Sequence, residues 1–94
     1  MKILVVIVTH NRLKELKRCI DYVNNQTFNK KKLLVIDNNS TDDTQNYLKK
    51  SNIPSIYSDK NIGSAGGWNL GINYALNNSY DFIWLMDDDG YPHQ

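Results

Sequence analysis

Three consecutive carboxylates, Asp87-Asp88-Asp89, directly follow the apolar run Phe82 to Met86 and precede Gly90. Alternate members, Asp87 and Asp89, can converge on one divalent cation if the chain turns at Gly90, and Asp88 then points elsewhere. Oxygen ligands of this kind favour Mg²⁺ or Mn²⁺, often with phosphate completing the shell. A solvated acidic turn is the plainer alternative; the place at the end of an apolar run favours the cation. An EF-hand does not fit, because Leu85 would hold the first ligand position and the closing Glu is missing. Asp37 likewise ends an apolar run, and an acidic group there can accept a hydrogen bond from a base N–H or a ribose hydroxyl, or serve the turn into a helix. Thr9, Asn11 and Arg12 close a third run, where Arg12 can pair with a diphosphate or lie solvated. In Asn61 to Gly71, glycines 66, 67 and 71 lie in or beside a helix, where each costs about 1 kcal/mol against Ala. Close backbone approach compensates, either by a strand or by a ligand phosphate at the helix N-terminus, and spacing leaves both open. His10 and His93 have no second ligand at a metal-binding spacing and read as polar surface residues. Cys19 reads as a small buried hydrophobe.

These groups need elements to hold them. Ile3 to Val8 is a continuous β-branched run, the pattern of a parallel strand covered on both faces. Leu13, Leu16, Ile20 and Val23 recur at helical spacing, and a polar loop follows from Asn24 through Lys32. Leu33 to Ile36 forms a second strand. Ser40-x-x-Asp43 resembles a capping box with Ser40 as N-cap, which leaves Asp37 free for another task. That helix passes through Tyr47 and Leu48 and stops near Lys49-Lys50, ahead of Pro54. Ile53 to Tyr57 is a third strand and Asp59 to Gly67 a loop. A third helix runs from Trp68 through Leu76, and Phe82 to Met86 is the fourth strand. The alternation predicts an α/β fold: a Rossmann-like parallel sheet with helices on both faces. Strand order 3-2-1-4 places a topological switch between the first and fourth strands, and ligands in such sheets bind at the carboxyl ends of strands. Every polar cluster named above lies at one of those ends.

Composition narrows the choice further. Eleven basic and ten acidic residues among 94 give a net charge of +1. This balance excludes a nucleic-acid binder that relies on a basic excess. Cys19 has no partner for an intrachain disulfide. No apolar run approaches the roughly 18 residues of a membrane helix. The apolar start is short and runs into Thr9-His10-Asn11-Arg12 in place of a small-residue cleavage site, so it reads as a buried strand and the compartment as cytoplasmic. Neither a G-x-G-x-x-G turn after the first strand nor the G-K-[ST] of a P-loop is present.

Four segments carry a resemblance: Val8-Thr9-His10-Asn11-Arg12, Val35-Ile36-Asp37-Asn38-Asn39-Ser40-Thr41-Asp42, Asn61 to Gly71, and Trp84-Leu85-Met86-Asp87-Asp88-Asp89. In this order and spacing they resemble the N-terminal part of a family 2 glycosyltransferase with the GT-A fold, over essentially the whole chain. The Asn-x-Gly-x-x-Gly-Gly stretch and the Met-Asp-Asp-Asp run are most similar to the rhamnosyl- and galactofuranosyl-transferase branch. The resemblance implies a nucleotide-diphosphate sugar donor (UDP- or dTDP-sugar), a hydroxyl acceptor and a part in cell-wall polysaccharide synthesis. It puts Thr9 and Asp37 on the base and ribose side, with Arg12 and Asn61 near the nucleotide and diphosphate. The implied substrate-binding set also takes in Asn11, Asn38, Gly66, Gly67, Asp87 and Asp88, and Asp87 and Asp89 are the pair that holds Mn²⁺ or Mg²⁺. Asn38 departs from the many relatives that carry a second Asp there, which removes a charge.

The family's general base lies well beyond the D-x-D motif, whereas this chain stops at Gln94. The expectation is a truncated donor-binding part, without the acceptor half, that binds donor weakly and transfers no sugar. The full-length protein is expected at the inner face of a membrane or free in the cytoplasm. The rival reading is a non-catalytic α/β interaction module that self-associates through the open edge of the fourth strand. A phosphoacceptor domain is disfavoured, since Thr9-His10 stands where it needs an acidic pair.

Overall fold

The computed structural model describes residues 2–26 and 31–88. Strand β1 (Ile3–Thr9) leads to helix α1 (Leu13–Asn24), β2 (Lys31–Asn38), α2 (Thr44–Lys50), β3 (Ser55–Ser58), α3 (Gly63–Asn77) and β4 (Phe82–Asp87). All strand pairs are parallel, as the alternation predicts, and the sheet order is β3-β2-β1-β4, the expected 3-2-1-4.

The β-branched run of β1 is buried because both faces are covered. Val5 and Ile7 pack with Leu16, Cys19, Ile20 and Val23 of α1 and Leu48 of α2. Leu4, Val6 and Val8 turn to the other face, under Ala75, Trp68 and Tyr74 of α3. The period-2 alternation of the strand thus feeds two cores. With α1 and α2 on one face and α3 on the other, the chain reverses direction across the sheet between β1 and β4. That is the switch point, and it opens a crevice above the strand ends.

The bounds of β2, β3 and α3 differ from the sequence-based expectation. Strand β2 begins at Lys31 rather than Leu33, because Ile3 and Leu4 offer ladder partners to both lysines, which lie on its exposed lower end. It also runs on to Asn38, so Asp37 is a strand residue opposite Thr9. Strand β3 starts at Ser55 and ends at Ser58. Helix α3 starts at Gly63, not Trp68, and takes in the glycine-rich stretch expected to be loop. The glycines allow this: a Cβ at Gly67 would lie 2.8 Å from both Val8 methyls, and one at Gly71 only 2.6 Å from Val6 Cγ1. Of the two readings of these glycines, close approach to a strand is the one the packing explains.

Candidate functional site

The carboxyl ends of β1, β2 and β4 and the start of α3 enclose an open polar cleft of about 340 Å³. Its walls are Val8, Thr9, His10, Arg12, Asn38, Asn61, Gly63, Ser64, Asp87 and Asp88. Six of the residues singled out from sequence are therefore brought together: Thr9, Arg12, Asn38, Asn61, Asp87 and Asp88.

At the end of β4, Asp87 is half-buried and its Oδ1 accepts a hydrogen bond from Ser64 Oγ at 3.1 Å. The strand end is held from both faces of the sheet. Trp68 Nε1 of α3 donates to the Met86 carbonyl at 3.3 Å, and Cys19 Sγ of α1 to the Asp87 carbonyl at 3.7 Å. Cys19 is fully buried, as expected, and has this weak donor role besides. Asp88 lies on the cleft wall, where the substrate-binding set has it. Val8 pairs with Asp87, so Thr9 stands beside Asp88, and Thr9 Oγ1 donates to Asp88 Oδ2 at 2.8 Å. Both are buried, and the hydroxyl supplies a hydrogen bond that a buried carboxylate needs. Asp89 lies outside the described residues, as do Gly90 and His93.

The loop after β2 departs from the capping-box expectation. Helix α2 begins at Thr44 after Asp43, and no side chain caps it at that position. Ser40 sits earlier, where its Oγ accepts from the Asn11 amide at 2.9 Å and its own amide donates to Asp37 Oδ2 at 3.1 Å. The helix entry is served instead by Asp42, whose Oδ1 accepts from the Thr44 amide at 3.0 Å. Partial burial acts to raise the Asp42 pKa, but hydrogen bonds from Thr44, from the Leu13 amide and from its own amide outweigh it and hold the carboxyl below its ordinary value. The sequence had reserved Ser40 for a cap and so missed this placement; Ser, Thr and Asp are all good caps, and propensity cannot rank them.

Four predicted site residues lie off the cleft walls. Asn11 adopts φ +53°, which Asn tolerates better than most residues, and its Oδ1 accepts from the Thr41 and Asp42 amides at 2.6 and 3.2 Å. It ties the β1–α1 loop to the β2–α2 loop. Asp37 is fully buried; its Oδ2 also accepts from Gln45 Nε2 at 2.8 Å, whereas its Oδ1 has no hydrogen-bond partner among the described residues. Gly66 and Gly67 also lie away from the walls, inside α3, where Gly66 meets the Ile62 side chain and Gly67 meets Val8.

Besides the apolar Val8, three wall residues were not among the expected set. His10 is half-buried, and its Nδ1 meets the Asn38 carbonyl oxygen at 2.5 Å. That contact requires the proton on Nδ1, leaving Nε2 to accept from Asn11 Nδ2 at 3.4 Å. Ser64 and Gly63 enter the wall because α3 starts early. The signal for Ser64 was its place in the glycine-rich segment that reaches β4.

A cation can be tested against this donor set. Among the described residues no three His, Cys, Asp or Glu side chains converge on one point. Asp87, held by Ser64 at one oxygen, is a hard oxygen donor at the cleft wall and Arg12 lies on the same wall. Mg²⁺-type sites commonly use one or two carboxylates and complete their shell with substrate phosphate and water. The residues present fit such a site. No helix among the described residues is long and apolar enough to cross a membrane.

The sequence model described as "Glycosyl transferase family 2" matches residues 4–94. The chain is 39% identical over 89 residues to the galactofuranosyltransferase GlfT1 of Mycolicibacterium smegmatis, a match that covers 93% of this chain and 30% of that protein. It is 30% identical over 97 residues to the glycosyltransferase AglE of Haloferax volcanii, covering 96% of this chain and 31% of that one. The chain thus spans about a third of the length of these curated relatives. Among solved structures, a mannosyltransferase from Pyrobaculum calidifontis in complex with GDP-Man and Mn²⁺ superposes with a TM-score of 0.82 at 18% identity, over 94% of this chain and 27% of that one. The TarS structure from S. aureus gives 0.79 at 25% identity, over 95% of this chain and 17% of that one. These neighbours share the GT-A sheet, and the similarity to galactofuranosyltransferases falls in the branch that the Asn61 to Gly71 and Met86 to Asp89 segments resemble. The chain belongs to glycosyl transferase family 2.

Proposed function

We propose that this chain is the donor-binding part of a glycosyltransferase that passes a sugar from a nucleoside-diphosphate donor to a hydroxyl acceptor. The observation that carries this reading is the convergence of Asp87, Asp88, Arg12 and Asn61 on one polar cleft at the switch point between β1 and β4. A guanidinium and carboxylates lining one cleft suit a diphosphate and its cation, respectively. Asp87 and Asp89 would hold the Mn²⁺ or Mg²⁺, and when bound it offsets the charge that grows on the departing diphosphate. The chain's own residues orient the donor. Thr9 keeps Asp88 in the cleft wall, where its carboxylate faces the donor. Ser64 fixes the rotamer of Asp87. Asp37 serves the base or ribose side through its Oδ1, a buried acceptor without a partner among the described residues. Such an atom costs free energy until an N–H or O–H reaches it. Asn11, Gly66 and Gly67 act on the donor only through the loops and helix that they shape.

Titration calorimetry with UDP, dTDP and GDP, each with and without Mn²⁺, tests the reading. Metal-dependent binding that is lost in Asp87→Ala and in Asp89→Ala is the expected result. Binding that survives both substitutions removes the metal clamp, and sugar transfer by the 94-residue chain alone refutes the assignment as donor part only. A second reading, self-association through β4, has its own support. Phe82 and Leu85 are 54% and 37% exposed on this edge strand, whose outer side pairs with no strand among the described residues. Open edges of that kind favour pairing, and a concentration-dependent mass in sedimentation would reveal it.

A further inference from the structure

The loop between β3 and α3 brings Asn61, Gly63 and Ser64 to the cleft wall. Its own local bonds are few: the Gly63 amide donates to Asn61 Oδ1 at 3.0 Å, and Gly63 turns the chain at φ +75°. Ser64 ties it to Asp87 at the end of β4, and a side chain from the end of β2 ties it to the middle of the sheet. Asn38 Nδ2 donates to the Gly63 carbonyl at 2.9 Å, and Asn38 Oδ1 accepts from the Ile62 amide at 3.4 Å. Asn38 is only 2% exposed, and its own backbone carbonyl is taken by His10.

We propose that Asn38 is a positioning residue that clamps the β3–α3 loop to β2 through one donor and one acceptor, so that the cleft wall requires an amide or a protonated acid at this position. The polarity argument is strict. A backbone N–H can only donate and a carbonyl can only accept, so the side chain between them must offer one of each. An ionised carboxylate offers two acceptors. One oxygen would keep the Ile62 amide, and the other would face the Gly63 carbonyl with no proton between them. Burial and the facing dipole both disfavour the charged form there, and the acid takes up a proton to restore the pattern. The protonated acid then has the shape and polarity of the amide it replaces. The clamp rests on the donor-site reading only for what the loop is held to do.

The charged and titratable groups around the position are His10 and Arg12 on the β1–α1 side, Asp37 on β2, Asp59 and Lys60 ahead of α3, and Asp87 and Asp88 at the end of β4. All are present in the unmodified chain, whose own pH response is subtracted. The experiment is NMR of the ligand-free 94-residue chain, unmodified and as Asn38→Asp and Asn38→Leu, titrated from pH 8 to pH 4. In Asn38→Asp the Gly63 carbonyl ¹³C resonance is displaced at pH 8 and returns to its unmodified position as the introduced carboxyl protonates. The midpoint should lie at least one unit above the ~3.9 of a free aspartate, a tenfold or greater shift in its proton affinity. Asn38→Leu, with neither donor nor acceptor, is displaced at every pH and does not return. A Gly63 carbonyl that stays in place in both variants overturns the clamp, as does an introduced carboxyl with a midpoint at or below ~3.9. If Asn38→Asp does not fold at pH 8, Asn38→Leu decides alone: a displaced Gly63 carbonyl with unchanged β1 and β2 amides supports the clamp, and an undisplaced one refutes it. Because no nucleotide is present, this result stands apart from the calorimetry, whose failure would leave the clamp intact and remove only its purpose.

Discussion

Gly71→Ala is the substitution in which two opposing terms can be weighed from the structure. An added Cβ would sit 2.6 Å from Val6 Cγ1, 2.9 Å from Cγ2 and 3.2 Å from Cβ. Carbon atoms in contact prefer about 3.5–4.0 Å, so the overlap with the nearest methyl is roughly 1 Å. Val6 is fully buried on a strand paired on both sides, and a β-branched side chain has few rotamers to escape into. Helix α3 has to lift instead. Overpacking of this kind costs about 1–3 kcal/mol, and a rigid neighbour puts it in the upper part of that range. Better helix propensity returns about 1 kcal/mol, for a net loss of about 1–2 kcal/mol. A chain of this size holds roughly 5–14 kcal/mol in all, so urea unfolding at constant slope resolves the change. The paired variant sharpens the test. Val6→Ala alone removes two buried methyls at about 2 kcal/mol, yet the volume it vacates is where the new Cβ would go. The double variant should be more stable than the sum of the single losses by about 1 kcal/mol or more. If Gly71→Ala stabilises the chain by about 1 kcal/mol, as a solvent-facing helix glycine would, or if the two losses simply add, the close-approach account is wrong. The same substitution at Gly67, one turn nearer the cleft, presses on Val8 and should also shift the turn that carries Ser64.

Two further substitutions probe the bonds that hold the cleft walls. Thr9→Val keeps the shape of the side chain but removes the hydroxyl bonded to buried Asp88; it should lower the unfolding free energy by about 1–3 kcal/mol, with Thr9→Ser losing less, and equality of Val with the unmodified chain would discount that bond. Asn11→Asp keeps the acceptor for the Thr41 and Asp42 amides and should stay within about 0.5 kcal/mol of the unmodified chain, whereas Asn11→Ala loses those bonds and meets the strain of a positive φ, about 2 kcal/mol together. Asn11→Gly relieves the strain alone and falls between, so the order Asp, Gly, Ala in urea midpoints is the outcome to check.

The fold was readable because its signals are additive along short windows. Four apolar runs separated by amphipathic or polar stretches lead to a parallel sheet with right-handed crossovers, and the 3-2-1-4 order fits the family that the four segments resemble. What failed was local. Lys31 and Lys32 look like loop until Ile3 and Leu4 supply ladder partners. Gly63 to Gly67 looks like loop because intrinsic propensity penalises glycine in helices, while the gain, contact of a bare backbone with Val8 and Val6, comes from a strand some sixty residues earlier. Ser40 and Asp42 compete for one helix entry, and only the position of Asn11 decides between them.

At the site, the carboxylates and Arg12 could be picked out because charge placed at the end of a buried strand demands a reason. The asparagines are a different matter. Parallel strands end in backbone N–H and C=O groups that have lost their ladder partners, and the loops that follow them add more. An amide is a side chain that can meet both kinds at once. Asn11 and Asn39 also accept the left-handed backbone that such tight exits need, at φ +53° and +59°. Asparagine at a strand end is therefore called for by the loops themselves, before any ligand is considered. Asn11 and Asn38 were read as donor contacts, and both have their side chains engaged with backbone amides and carbonyls of neighbouring loops. On the proposed clamp, the Asn at position 38 serves the loop that brings Asn61 and Ser64 to the cleft. Under the proposed function, recognition of the donor falls to the Arg12 guanidinium, to Asp87 and to the buried Asp37 oxygen that no described residue satisfies.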